Sequence, residues 1–327
     1  MVTLFRLLTR SLALTFPLLL QFSAPFPADA TPLAQNRLVA AIPVALHGDT
    51  PQPQATAPSD AAALYKHAYS IIYDARRAPD YESALGLLRS AAAQHFAPAQ
   101  FLLGYLYEHG RGVSVDYGQA ADNYRAAAQQ GHAGAENNLG GLYQYGHGVP
   151  RDINRAFECY HASAQHGNAM GQYNLATFYR LGYGTAPDMG LAVKWFRVAA
   201  EQGLAVAEAN MALFYFNGEG VPVDYGEAAH WSRLAAEQGL PHAATNYAYL
   251  CEQGKGVPRD YVAAYLWYSR AIAAGDKTAV APLKSVAHHL SRAQINQAKT
   301  QLAADSSRPQ QPDAGGANAD LSLIVSP

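Results

Sequence analysis

NLGGLYQYGHGVPRD, running from Asn138 to Asp152, holds the end of one helix, a loop and the start of another. Gly146 and Gly148 close the first helix, because glycine enters the left-handed region of a C-terminal cap and tight loop without steric penalty. Asp152 opens the second, where its carboxylate can accept hydrogen bonds from unpaired backbone N–H groups. The stretch is one instance of a pattern. Stepping by 36 residues carries Asp80 through Asp116, Asp152, Asp188, Asp224 and Asp260, and Gly112 through Gly148, Gly184, Gly220 and Gly256. Gly110, Gly146, Gly182, Gly218 and Gly254 keep step, as do Ala84, Ala120, Ala156, Ala192, Ala228 and Ala264. No insertion or deletion breaks the phase, and a fixed period of this length marks an array of stacked units.

Within a unit, Ala99, Leu103 and Tyr107 recur at four-residue spacing and share one face of a first helix. Gly104 lies beside that face, and its counterparts Gly140, Ala176, Ala212 and Ala248 are small enough to let a partner helix approach closely. The second helix runs through Ala120, Asn123, Tyr124, Ala127 and Ala128 and closes at Gly131. Trp195, Trp231 and Trp267 fill the Asn123 position in later units, one large ring opposite a row of alanines, so the helices interdigitate. Five full repeats occupy 97–276. A divergent one at 61–96 keeps Asp80 and Ala84 but has Asp74 and Arg76 where the loop glycines stand. Residues 277–305 read as a more polar helical cap over the last apolar face. The fold class is therefore all-α, a solenoid of helix-loop-helix repeats spanning 60–305.

The flanks differ. Residues 1–30 read as a secretory signal peptide, with Arg6 and Arg10 before the apolar run SLALTFPLLLQF and an Ala-x-Ala cleavage site at Ala28 to Ala30. That run is too short to span a bilayer, so no membrane span remains after cleavage and a periplasmic or secreted location is expected. Residues 31–59 form a disordered linker rich in Pro and Ala, and 306–327 a disordered tail. Across the 327 residues half are hydrophobic and 15% charged, enough for a core. Lys and Arg total 23 against 25 Asp and Glu, which leaves no basic excess to neutralise a phosphate backbone; nucleic acid is not expected as a partner. Cys159 and Cys251 lie more than two repeats apart and read as buried small side chains rather than a disulfide.

With NLGGLYQYGHGVPRD and AVKWFRVAAEQG (Ala192 to Gly203) in phase, the chain resembles the Sel-1-like repeats, relatives of the tetratricopeptide repeats. The resemblance covers about three quarters of the chain. It implies a right-handed α/α superhelical solenoid with first helices lining the concave side, and adaptor or scaffold work in complexes. One exported branch of that family carries a disulfide in each repeat, a pattern this chain lacks.

Catalytic signatures are missing. The Gly-x-Gly loops follow helices rather than strands and recur once per repeat, so they are turns and not phosphate cradles. No Ser-x-x-Lys, G-x-S-x-G or H-E-x-x-H occurs, and the histidines share no repeat phase and no metal-ligand spacing. No catalytic residue, metal or cofactor is expected. What remains is an uneven stripe on the first helices, Phe101, Tyr105, Tyr173, Arg180, Phe216 and Tyr249, beside an amide column of Asn138, Asn174, Asn210 and Asn246. Such amides either pair with the backbone of an extended peptide while the rings hold its side chains, or bond to their own scaffold. The expected function is a non-catalytic scaffold binding another protein or peptide in the groove; the alternative is an envelope hydrolase acting on cell-wall or β-lactam substrates.

Overall fold

A computed structural model describes residues 60–74 and 78–307. The expected signal peptide, linker and Arg76 fall outside the described residues, as does the expected tail from 308 on. The described chain is helical throughout, in the all-α class read from the sequence. Its hairpins are α1 (Ala61–Tyr73) with α2 (Tyr81–Ala92), α3 (Ala97–His109) with α4 (Tyr117–Ala128), α5 (Ala133–Tyr145) with α6 (Ile153–Gln165), and α7 (Ala169–Leu181) with α8 (Met189–Glu201). Then come α9 (Ala205–Asn217) with α10 (Tyr225–Glu237), and α11 (Pro241–Gln253) with α12 (Tyr261–Ala273). Each second helix packs on the first helix of the next unit, and α5 also touches α7, so a line of first helices forms one side of the stack.

The loop aspartate makes the hairpin. The Asp116 N–H donates to the Tyr107 carbonyl at 3.0 Å, closing the loop on α3, while its carboxylate accepts from the Gln119 N–H at 2.9 Å and caps α4. Asp152, Asp188, Asp224 and Asp260 repeat both bonds. Asp80 of the divergent unit caps α2 through the Ser83 N–H at 3.1 Å. The loop glycines are needed for two reasons. Gly146 ends α5 in the left-handed region at φ 75°. Gly148 also has positive φ, and a Cβ there would overlap the Tyr117 carbonyl group at the start of the preceding unit's second helix. The loop of one repeat thus seats on the helix start of the repeat before it.

The first helices are buried more completely than a one-faced reading implies. Phe101, read as part of the groove stripe, is 8% exposed and lies inside the core, as does its neighbour Leu102 at 5%. A helix flanked by its own partner, the preceding second helix and neighbouring first helices is enclosed on several sides, so apolar residues all round are stable. Beyond α12 the cap is a short 3-10 turn (Lys277–Ala279), α13 (Val280–Ala287) and α14 (Arg292–Ser307). Two helices thus replace the single expected segment. The break falls where Ser291 starts a capping box with Gln294: the Gln294 N–H donates to Ser291 Oγ at 3.3 Å, and Gln294 Oε1 accepts from the Ser291 N–H at 2.9 Å.

In the four units from α3 to α10 a polar clasp ties the start of the first helix to the end of its own second helix. Gln130 donates to Gln100 at 2.7 Å, His166 Nδ1 meets Glu136 at 2.8 Å, Gln202 donates to Gln172 at 2.6 Å and Gln238 donates to Glu208 at 2.8 Å. In the last unit both positions are alanine, Ala244 and Ala274, and buried Asp276 bonds to His242 and Thr245 instead. Burial pushes the Glu208 carboxyl up to about 7, partly offset by the Gln238 amide. A carboxyl raised in the folded state favours folding below its unfolded value and loses that contribution as pH rises through the folded one. Melting of the wild type should therefore fall relative to Glu208→Gln between about pH 5 and about pH 8. Parallel pH profiles of the two melting temperatures would show that Glu208 does not titrate in this range.

Candidate functional site

From α4, α6 and α12 a tyrosine reaches the seam beside the first helices. The Tyr124 hydroxyl donates to Glu108 on α3 at 2.6 Å and accepts from Asn138 on α5 at 3.1 Å. The Tyr160 hydroxyl donates to Gln144 at 2.7 Å, and that of Tyr268 to Glu252 at 2.8 Å. These rings need the small residues opposite them: a Cβ on Gly104 would lie 2.6 Å from the Tyr124 ring.

The first unit has Leu88 and Ile72 at these positions, and two later seams also depart from this arrangement. In the unit at 169–204, Phe196 replaces the tyrosine and Arg180 replaces the acceptor. In the next unit Ser232 replaces the ring and Phe216 the acceptor. Around Ser232 a small open notch of about 10 Å³, room for one water molecule, is lined by Ala212, Leu213, Phe216, Asn246, Tyr249 and Leu250.

The sequence-derived residues fall into distinct settings. Asn138 bonds to Tyr124, Asn174 donates to Asn137 at 2.8 Å, and Asn210 donates to the Val206 carbonyl at 2.7 Å. Asn246 makes no side-chain hydrogen bond among the described residues and faces the notch. Phe101 is a core ring stacked on His132 at 4.5 Å, not a groove residue. Tyr105 stacks on His109 at 4.1 Å beneath the Arg111 guanidinium. Tyr173 meets Phe196 edge-on at 5.4 Å. Phe216 and Tyr249, with Tyr225, surround the Lys255 ammonium, which sits 5.0–5.5 Å from the three ring centres. Arg180 is partly buried, and its Nε has no hydrogen-bond partner.

Reactive groups are quiet in these surroundings. Burial pushes the Cys159 thiol up to about 12 and the Cys251 thiol up to about 11, so both stay protonated at neutral pH. His132 is pushed down to about 4 by burial and caps α5 by accepting from the Ala135 N–H at 3.2 Å. Among the described residues no three His, Cys, Asp or Glu side chains gather as a metal site. No described helix is long and apolar enough to cross a membrane. The sequence reading missed the coupling of positions 108 and 124. Its signal was there as Tyr with Glu, Tyr with Gln, Phe with Arg, Ser with Phe and Tyr with Glu, a covariation among repeats of one chain. Replacing Tyr124 with Phe should cost about 1–3 kcal/mol, because the Glu108 carboxylate loses the donor and the Asn138 N–H the acceptor that the hydroxyl supplies. Unchanged chemical denaturation would mean that the seam hydroxyl contributes nothing to holding the first helices together.

The Sel1 repeat profile matches six consecutive segments, 61–96, 97–132, 133–168, 169–204, 205–240 and 241–276. It includes the unit that reads as divergent. A Sel1 repeat protein from Oxalobacter formigenes is 31% identical with a TM-score of 0.60, over 72% of this chain and 99% of that one. A protective antigen present in uropathogenic Escherichia coli strains, displaying an SLR fold, is 26% identical with a TM-score of 0.67. That match covers 81% of this chain and 60% of the antigen, so the chain spans well under the antigen's full length. No curated protein matches. Sel1 repeat proteins are generally protein-interaction scaffolds, typically without catalytic activity. With six units in register and two solved relatives sharing its stack of helix pairs, the chain belongs to the Sel1 repeat family.

Proposed function

We propose that this protein is a non-catalytic scaffold of the cell envelope that holds an extended segment of another protein along the first-helix face. The observation that carries the reading is the contrast between frame and seam. Across the five units from 97 to 276 the loop aspartates, loop glycines and core alanines repeat without change, whereas the seam position carries Glu108, Gln144, Arg180, Phe216 and Glu252, four residue types in five units. A surface that only shielded the core would have no use for such variety, while a surface reading successive side chains of a partner would. Partly buried rings such as Tyr173 and Tyr249 supply rigid contact area at low entropic cost. The envelope location rests on the expected signal peptide at 1–30.

Two measurements test these parts separately. A photo-crosslinking side chain at Leu213, on the seam, should capture a discrete partner from the protein's own host, and the same group at exposed Lys194 on α8 should not. Equal capture from Lys194 would move the binding surface to the second helices. Intact-mass analysis of the exported protein should give a chain beginning near Thr31. A retained N-terminus would remove the support for export by cleavage.

A further inference from the structure

Acids and bases on the first-helix side are in different states. Glu108 and Glu252 accept tyrosine hydroxyls, and Glu136 and Glu208 are closed into clasps. The cations are not matched to them. Arg180 makes no ion pair and no side-chain hydrogen bond among the described residues, and its Nε is buried without an acceptor. Lys255 makes no ion pair among the described residues either; its ammonium rests on Phe216, Tyr225 and Tyr249. Arg111 lies over the Tyr105 ring, 5.5 Å from its centre.

Arg180 stands in the last turn of α7, where a helix end attracts a cation. That attraction does not explain the choice, since Glu108 and Glu252 occupy the same position against the dipole in order to hold a tyrosine hydroxyl. At 180 the hydroxyl is gone, because Phe196 has taken its place, and the acceptor has been exchanged for a donor. A guanidinium is charged at every accessible pH and presents a planar fork of donors that matches a carboxylate. Beside it lies Tyr173, whose ring is set edge-on against Phe196. The site is a fixed, donor-rich cation with no anion of its own, midway along the line of first helices.

We propose that the groove takes an acidic extended segment of a partner protein, and that Arg180 chelates one of its carboxylates. Lys255 and Arg111 flank that point on either side along the array and add attraction for further acidic residues. The inference rests on the groove reading and adds to it the charge of the partner and the residue that anchors it.

The test uses the full chain and two labelled peptides, hexaglutamate and hexalysine, with binding read by fluorescence anisotropy and location by amide hydrogen exchange. Hexaglutamate should bind, weaken with added salt, and protect α7 and α9. Arg180→Gln should weaken it about tenfold, and Arg180→Lys should recover only part of the loss because a lysine lacks the fork. Neither variant should melt lower than the wild type, since no hydrogen bond of the fold is removed. Arg180→Glu should turn the preference toward hexalysine. Hexaglutamate binding that ignores Arg180→Gln would overturn the anchor. A single-stranded oligonucleotide bound as tightly as hexaglutamate would make the site one for nucleic-acid phosphates instead. Selection of random displayed peptides separates the two levels: neutral or basic winners that protect α7 and α9 overturn the acidic partner and leave the groove standing. Winners that protect only α8 and α10 overturn the groove itself.

Discussion

One residue per repeat, the loop aspartate, fixes the geometry on which the rest depends. Its backbone N–H ends the path out of the first helix and its carboxylate begins the second, so a single position sets both where the chain turns and where it becomes helical again. An added residue in the loop would break one of these bonds whichever way the chain adjusted. The glycine four positions earlier carries the constraint onward, since its backbone lies directly against the preceding unit's second helix. Because that contact admits no side chain, the spacing of one repeat is tied to that of its neighbour. This explains why the 36-residue phase runs from Asp80 to Asp260 without a slip.

The frame could be read from sequence because its chemistry uses the same residue each time. A cap needs a short acceptor, a left-handed turn needs glycine, and a close crossing needs a small side chain, so the Asp, Gly and Ala columns repeat as identities. The clasp and the seam escaped the same reading because they conserve complementarity instead. Gln100 with Gln130 and Glu136 with His166 do one job with different residues, and Ala244 with Ala274 abandon both ends together. Phe101 was misplaced for another reason: helical spacing assigns faces to a helix with one neighbour, and this helix has several. The cap divides because Ser291 and Gln294 start a new helix, a short signal set within residues that read as continuously helical.

Seam and frame also answer to different energies. Changing a loop aspartate or the second glycine disturbs a neighbouring unit, whereas a seam side chain is felt only by the few groups across from it. Neighbour-only coupling lets repeats diverge one at a time at little cost to the stack. Tyr124 with Glu108 shows what the seam adopts when it satisfies its own polar groups: a ring filling the crossing, with its hydroxyl bonded on both sides. Ser232 with Phe216 is a second solution, in which the ring comes from the first helix and a notch is left beside it.

Phe196 with Arg180 is different in kind. The phenylalanine keeps the packing of a tyrosine, fully buried and in contact with Tyr173 and Phe214, so the crossing itself is intact. The arginine, however, buries an N–H group that nothing in the described chain accepts, a cost of about 1–3 kcal/mol when no water reaches it. A frame this regular tolerates such a cost because its stability comes from every interface in the stack. The strain sits at a seam, where no other unit's register depends on it.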